Sequence, residues 1–389
     1  MSIRVDRRTL AMTAAVGVGA SMIAGKDVVA QDASPAASPA TESPLAAIGK
    51  VEDLIEHGTT TYESPLSTFS EFITPNDQAF VRSNGPVTVD IDAAEWRLEI
   101  TGLVDTPLEL SLEDLKAMET TTVTSWLECS GNSRSRWGDD PKMVEGTQWG
   151  NGAIFNVEWT GVPLSTILEQ AGVQEGAVDV VSFGGDFEDM QRGLPLETAQ
   201  NGEVMIAWQM NGEDIPATNG GPVRLVVPRW GGIASTKWVV KLELIDKEFD
   251  GSFNTKSYVI IDENEEVIRP VREMPVKSFI TSVEPGGSVS AGTNTIEGLA
   301  WSGMGAVTGV EVSVDNGETW EAAELTEEAG ELSWYRFEFE WEAEAGDTVL
   351  LSRATDATGD VQADSVDDLM WNAKGYQMNA VYPVEVTVS

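Results

Sequence analysis

Hydrophobic and polar positions alternate along this chain in two different ways, and the change divides it. From about residue 60 to 272, short apolar, β-branched runs alternate with stretches of helical period. TVTSWLEC (122–129) and PVRLVVP (222–228) are rich in apolar and β-branched residues and predict buried strands. SLEDLKAM (111–118) and PLSTILEQAG (163–172) place apolar residues three and four apart and predict helices. Ser111 is set to cap the first, with Asp114 three residues on, and Gly172 to end the second. Strand and helix mixed without a repeated βαβ unit predict an α+β domain. From about 273 the alternation is of period two. VTGVEVSV runs into an Asn-Gly turn and YRFEFEW alternates aromatic with polar residues, while YPVEVTV closes the chain. Strands at this spacing predict an immunoglobulin-like β-sandwich over 273–389.

Ahead of both lie segments that build no core. Arg7-Arg8 precede an apolar stretch from Leu10 to Ala24 and small residues around Val28-Val29-Ala30. The stretch is short for a membrane span, and its flanks fit a cleaved twin-arginine signal over 1–31, so the expected location is periplasmic or otherwise extracytoplasmic. Residues 32–60 begin with an Ala/Ser/Pro-rich tether. His57, in VEDLIEHG, is expected in a short helix, solvated or capping, without a partner.

Composition narrows the chemistry. With 64 acidic against 24 basic residues the net charge is −40, which disfavours nucleic acid and anionic lipid as partners. One Cys and one His exclude an intrachain disulfide, a Cys/His zinc site and C-x-x-C-H haem attachment. Gly49-Lys50 is followed by Val51, so no P-loop is present.

Against that background, residues Ile215 to Leu242 contain no acid yet hold Arg224, Arg229, Lys237 and Lys241. A cationic island in so acidic a chain points to a bound anion. TNGGP and WGGI inside it would let backbone N–H groups approach a phosphate. A second acid-free stretch, CSGNSRSRWG (129–138), joins Cys129 to Arg134 and Arg136. Two neighbouring arginines are expected to lower the thiol pKa and suit it to a soft metal.

At these residues the chain resembles a known family. LECSGNSRS looks like the cysteine loop of the sulfite oxidase family of molybdenum–molybdopterin oxidoreductases. NGAIFNVEWTGVPLSTILEQAG, AWQMNGEDIPATNGGPVRLVVPRWGGIASTKW and the C-terminal AWSG…DNGETW…WNAKG are similar in the same order. The resemblance implies a molybdopterin-binding domain over 61–272 followed by an immunoglobulin-like dimerisation domain, hence a homodimer. It implies that Cys129 is the thiolate on molybdenum. It also implies that Phe80, Val81, Arg82, Ser83, Asn84, Asp186, Asn219, Arg224 and Ser235-Thr236-Lys237 hold the pterin and its phosphate. Tyr258 would face the metal, with Arg82, Arg134, Trp149 and Lys374 around the oxyanion. The departures are Lys374 where Arg is usual, Ser133 for a second Arg, and Asn84 and Asn219 where His is common. The implied reaction is oxidation of sulfite to sulfate, with electrons passed to a separate acceptor such as a basic cytochrome c. Another sulfur oxyanion, nitrate or a sulfoxide is the near alternative. A cofactor-free carbohydrate-binding protein and a glycoside hydrolase using paired carboxylates are the distant ones.

Overall fold

The computed structural model describes residues 44–138, 144–264 and 266–389, so the signal segment and residues 32–43 of the linker lie outside the described residues. Against expectation the rest of the linker joins a core, Leu54 packing with Tyr62 and Val81. Two five-stranded sheets carry the first region. In one, Thr121–Glu128, Ile154–Pro163, Met205–Met210 and Glu213–Asp214 are neighbours in that order, and Arg224–Val226 pairs with Met205–Met210. In the other the order is Leu108–Ser111, Arg97–Gly102, Val239–Ile245, Asp179–Gly184 and Gln191–Pro195, with a parallel pair between Arg97–Gly102 and Val239–Ile245. Buried Leu98, Ile100, Leu242 and Leu244 meet the apolar face of the helix Leu164–Ala171 in one core. That helix ends at Gly172 as its sequence requires, and Leu112–Lys116 starts on a full capping box between Ser111 and Asp114.

The second region is all-β and closes as two facing sheets. Lys277–Ile280, Gly292–Trp301, Tyr335–Ala343 and Glu324–Glu328 form one sheet. Gly287–Val289, Val384–Val388, Gly346–Asp356, Val307–Ser313 and Glu321–Ala322 form the other. Val310, Val312, Phe337 and Trp341 point between them, which is the inward half of the alternation. The Asn-Gly signal holds, with Asn316 at φ 61° and Gly317 at φ 87°, although the hairpin loop it serves is longer than two residues.

A third cluster belongs to both regions: Trp126 and Ile154 from the first pack with Phe279, Leu299, Trp301 and Trp334 from the second. The described residues accordingly belong to one compact unit.

One local expectation fails. His57 sits on the strand Ile55–Gly58 rather than in a helix, and it has a partner: Nε2 lies 2.6 Å from Glu63 Oε2. The neighbouring Thr61–Glu63 pairs with both Ile55–Gly58 and Val81–Arg82, and sheet pairing decides the conformation of an otherwise ambiguous acidic segment. No helix among the described residues is long and apolar enough to cross a membrane.

Candidate active site

The strand Thr121–Glu128, buried over its second half, delivers Cys129 to the wall of a cavity. The same wall carries Phe80, Arg82, Ser83, Asn84, Asp186, Asn219, Arg224, Ser235, Lys237 and Tyr258, so residues from six separate segments converge as expected. The loop after the strand is held at both ends. Cys129 N–H donates to Ala153 O at 2.8 Å, and Asn132 N–H donates to Cys129 O at 2.9 Å.

Behind the cysteine lies a group the sequence reading missed. Glu128 is wholly buried, and its Oε1 accepts from Lys277 Nζ at 3.1 Å and from Asn132 Nδ2 at 3.0 Å. Its Oε2 accepts from Trp301 Nε1 at 2.9 Å. Two of those three donors come from the C-terminal sandwich, so the cysteine loop is positioned by both regions. A charge interrupting an apolar strand, as in SWLEC and PVKSFI, was the available signal.

The thiol itself corrects an expectation. Burial pushes its pKa up. The Gly131 N–H, Arg134 and Arg82 oppose that shift, while Glu128 adds to it. Arg136 is not part of this balance, because its guanidinium turns away to lie over Tyr382 and to donate to Val381 O.

Arg82 and Tyr258 share one acceptor. Asn84 Oδ1 takes Arg82 Nη2 at 2.8 Å and the Tyr258 hydroxyl at 3.1 Å. Tyr258 stacks at 5.4 Å on Tyr376, a residue the sequence reading passed over, and burial raises its pKa. Arg134 lies over the other tyrosine at 5.0 Å from the Tyr376 centroid and donates Nε to Lys374 O at 3.0 Å. Three glycines from separate segments leave room for its side chain. A Cβ at Gly131, Gly146 or Gly375 would lie 2.4, 2.9 or 3.0 Å from an Arg134 atom.

Arg134 and Lys374 therefore stand beside the cavity rather than on its wall, and Lys374 joins the site through its carbonyl. Trp149 is also set back, buried against Phe80 and the His57 ring. Glu63 holds the turn that follows it by accepting from Gly150 N–H and Gly152 N–H. Val81 packs in a small apolar cluster, and the Thr236 hydroxyl pairs with Ser182 Oγ at 2.7 Å.

The cationic island splits. Arg229 pairs with Glu203 and Glu331, and Lys241 pairs with Glu243. Arg224 and Lys237 face the cavity and form no ion pair among the described residues. Arg224 is 2% exposed and its pKa is pushed down by burial to about 9. That of Lys237 is pushed well below its usual value by burial and then by Arg224, Lys50 and Arg82. The glycines serve packing more than N–H donation. Gly220, Gly221 and Gly231 N–H groups are spent on backbone acceptors, and a Cβ on Gly220 would lie 2.8 Å from Lys237 Cβ.

These features fit a molybdopterin. Uncompensated cations call for a phosphate. The buried Asp186 Oδ1 and Ser130 Oγ lack partners among the described residues and face the same cavity, offering an acceptor and a hydroxyl to a polar ring. A single thiolate is the donor a soft metal needs once a ligand brings the remaining ones. No cluster of three or more His, Cys, Asp or Glu among the described residues competes for the metal.

Comparison with known proteins agrees. Residues 84–253 match the family description "Oxidoreductase molybdopterin binding domain", and residues 268–389 match "Mo-co oxidoreductase dimerisation domain". Mitochondrial sulfite oxidase of Mus musculus is 33% identical over 350 residues, covering 84% of this chain and 64% of the relative. Sulfite oxidase of Arabidopsis thaliana is 30% identical over 348 residues, covering 80% and 88%. The chain thus spans less than two thirds of the length of the animal mitochondrial relatives. The crystal structure of the sulfane dehydrogenase SoxCD from Paracoccus pantotrophus superposes with a TM-score of 0.77 at 33% identity, covering 92% of both chains. With cavity, charge and sequence in agreement, the chain belongs to the sulfite oxidase family of molybdenum–molybdopterin oxidoreductases and takes the molybdenum cofactor.

Proposed function

We propose that this protein oxidises sulfite to sulfate, releasing two electrons and two protons as water supplies the fourth oxygen. The observation that carries this reading is the shared cavity of Cys129, Arg82, Asn84 and Tyr258, with the cationic cradle on the same wall. When bound, the molybdenum centre supplies the two-electron redox change and the oxygen-atom transfer. Cys129 would hold the metal. Arg224, Lys237, Asn219 and Asp186 would hold the pterin and its phosphate.

The chain's own work is placement. Arg82 and Arg134 attract an oxyanion that the net charge of −40 opposes, and partly buried charges are screened less than the acidic surface. Asn84 keeps Arg82 and the Tyr258 hydroxyl at fixed positions, so an anion meets a guanidinium held in place instead of a mobile one. Burial keeps that hydroxyl protonated, so its bond to Asn84 persists well above neutral pH.

The match to a dimerisation domain supports a homodimer, and the acidic surface supports a basic external acceptor such as a cytochrome c. The twin-arginine pair supports export with the cofactor already in place.

Oxidation of sulfane sulfur is the second reading, favoured by the equal coverage of the sulfane dehydrogenase structure. Steady-state turnover with sulfite and thiosulfate, each with an artificial acceptor, decides. Sulfite is expected to give the higher kcat/KM. A higher value for thiosulfate moves the assignment to the second reading, and activity with neither removes both.

A further inference from the structure

The turn Ala217–Asn219 receives three cations. Lys237 Nζ donates to Thr218 O at 2.6 Å and Arg224 Nη1 to Asn219 O at 2.7 Å. The third is Lys50, whose Nζ donates to Asn219 Oδ1 at 3.0 Å and to Asn76 O at 2.6 Å. Lys50 precedes the residues that match the molybdopterin-binding description, and it does not reach the cavity wall.

Its chemistry fixes the orientation of a residue that does reach the wall. Lysine only donates, so the Asn219 side-chain atom facing it is oxygen. Thr218 Oγ1 donates to the same oxygen at 3.2 Å. The amide nitrogen therefore points away from both donors, and Asn219 lines the cavity.

Lys50 is 4% exposed, and its contacts are a carbonyl and an amide with no ion pair among the described residues. Burial depresses its pKa to about 7, and Asp77 offsets this only in part. A charge buried at that cost is relieved by an anion nearby.

Resting on the molybdopterin reading of the cavity, we propose that Lys50 is a positioning residue of the phosphate site: it turns the Asn219 N–H donors toward the cofactor phosphate and adds a third positive charge behind them. A merely structural lysine would tie the N-terminal segment to Asn76 and Asn219 without affecting anion affinity.

The test titrates inorganic phosphate into the full-length, cofactor-free chain by calorimetry, with thermal melts alongside. Lys50→Met is expected to weaken phosphate at least about tenfold, the size of one charge-assisted hydrogen bond. Asn219→Ala should show a similar loss, and the double variant clearly less than the sum of the two, because the lysine acts in part through that amide. Lys50→Gln, which keeps a donor without charge, should still weaken phosphate by the loss of that charge, though less than Lys50→Met, and replaces the methionine variant if that one does not fold.

Unchanged phosphate affinity in a folded Lys50 variant overturns the proposal, as do fully additive losses with Asn219→Ala. In parallel, the molybdenum retained by loaded protein is measured after dialysis at rising salt. Wild type that binds phosphate but never retains molybdenum refutes the cofactor reading and leaves the Lys50 assignment standing. Equal retention by wild type and Lys50→Met refutes the assignment and leaves the cofactor reading standing.

Discussion

Lys277 and Lys50 are both lysines withdrawn from water, and they are treated in opposite ways. Behind the cysteine loop, Lys277 meets the Glu128 carboxylate at 3.1 Å, and the pair is closed by Asn132 and Trp301. At the phosphate cradle, Lys50, Arg224 and Lys237 meet only carbonyl and amide oxygens. One region supplies a bonded counter-charge; the other has only Asp77 and Asp186 nearby without an ion pair, and leaves the rest to a ligand. Where a buried cation bonds an internal carboxylate the charge is part of the architecture; where it bonds only neutral oxygens, it is part of a binding site.

The contrast breaks first at the seam. Lys277→Met leaves Glu128 buried and unpaired, and is expected to cost about 3–5 kcal/mol in denaturant unfolding. Replacing both partners by apolar residues should recover much of that loss. A cost below about 1 kcal/mol for the single change would show that the pair is not structural.

The cradle should respond with the opposite balance. Arg224→Met is expected to leave the empty protein as stable as wild type or more so, while weakening the loaded state by about 2 kcal/mol. Melting curves with and without cofactor measure both. Equal destabilisation of the two states would make Arg224 a scaffold residue.

A pH series sharpens the comparison further. With a folded pKa of about 7 against an ordinary 10.5, Lys50 releases its proton in the empty folded chain while the unfolded chain keeps it. Stability therefore rises with pH across that window, by roughly 1 kcal/mol per unit. The Lys50→Met variant should lack this part of the slope. Identical slopes in the two proteins would contradict it.

The smallest effect belongs to the outer half of the cationic island. Lys241→Ala removes a half-exposed pair with Glu243 and should change stability by no more than about 1 kcal/mol, with cofactor retention unaltered.

Much of the fold could be read from the chain. The capping box at Ser111, the glycine stop at Gly172 and the alternation of YRFEFEW depend on neighbours within a few positions, where periodicity and side-chain chemistry are decisive. The cavity wall was legible for a different reason, since Cys129, Arg82 and Tyr258 lie in motifs that resemble a family. What escaped depends on contacts distant in sequence. Lys277 and Glu128 are 149 residues apart, and Lys50 and Asn219 are 169 apart. The island of four cations looked uniform because composition cannot tell which side of a strand faces acid. Lys50 was set aside for failing a phosphate-loop pattern, although burial rather than pattern gives it its place. His57 was assigned by local propensity, which pairing with Thr61–Glu63 overrode.

Metal analysis of fully loaded wild type beside Cys129→Ser tests the central claim most directly. About one molybdenum per chain is expected in the wild type, as one thiolate serves one metal, with the sulfite-dependent activity lost in the variant. Trace molybdenum in loaded wild type, or full activity in Cys129→Ser, would contradict the account.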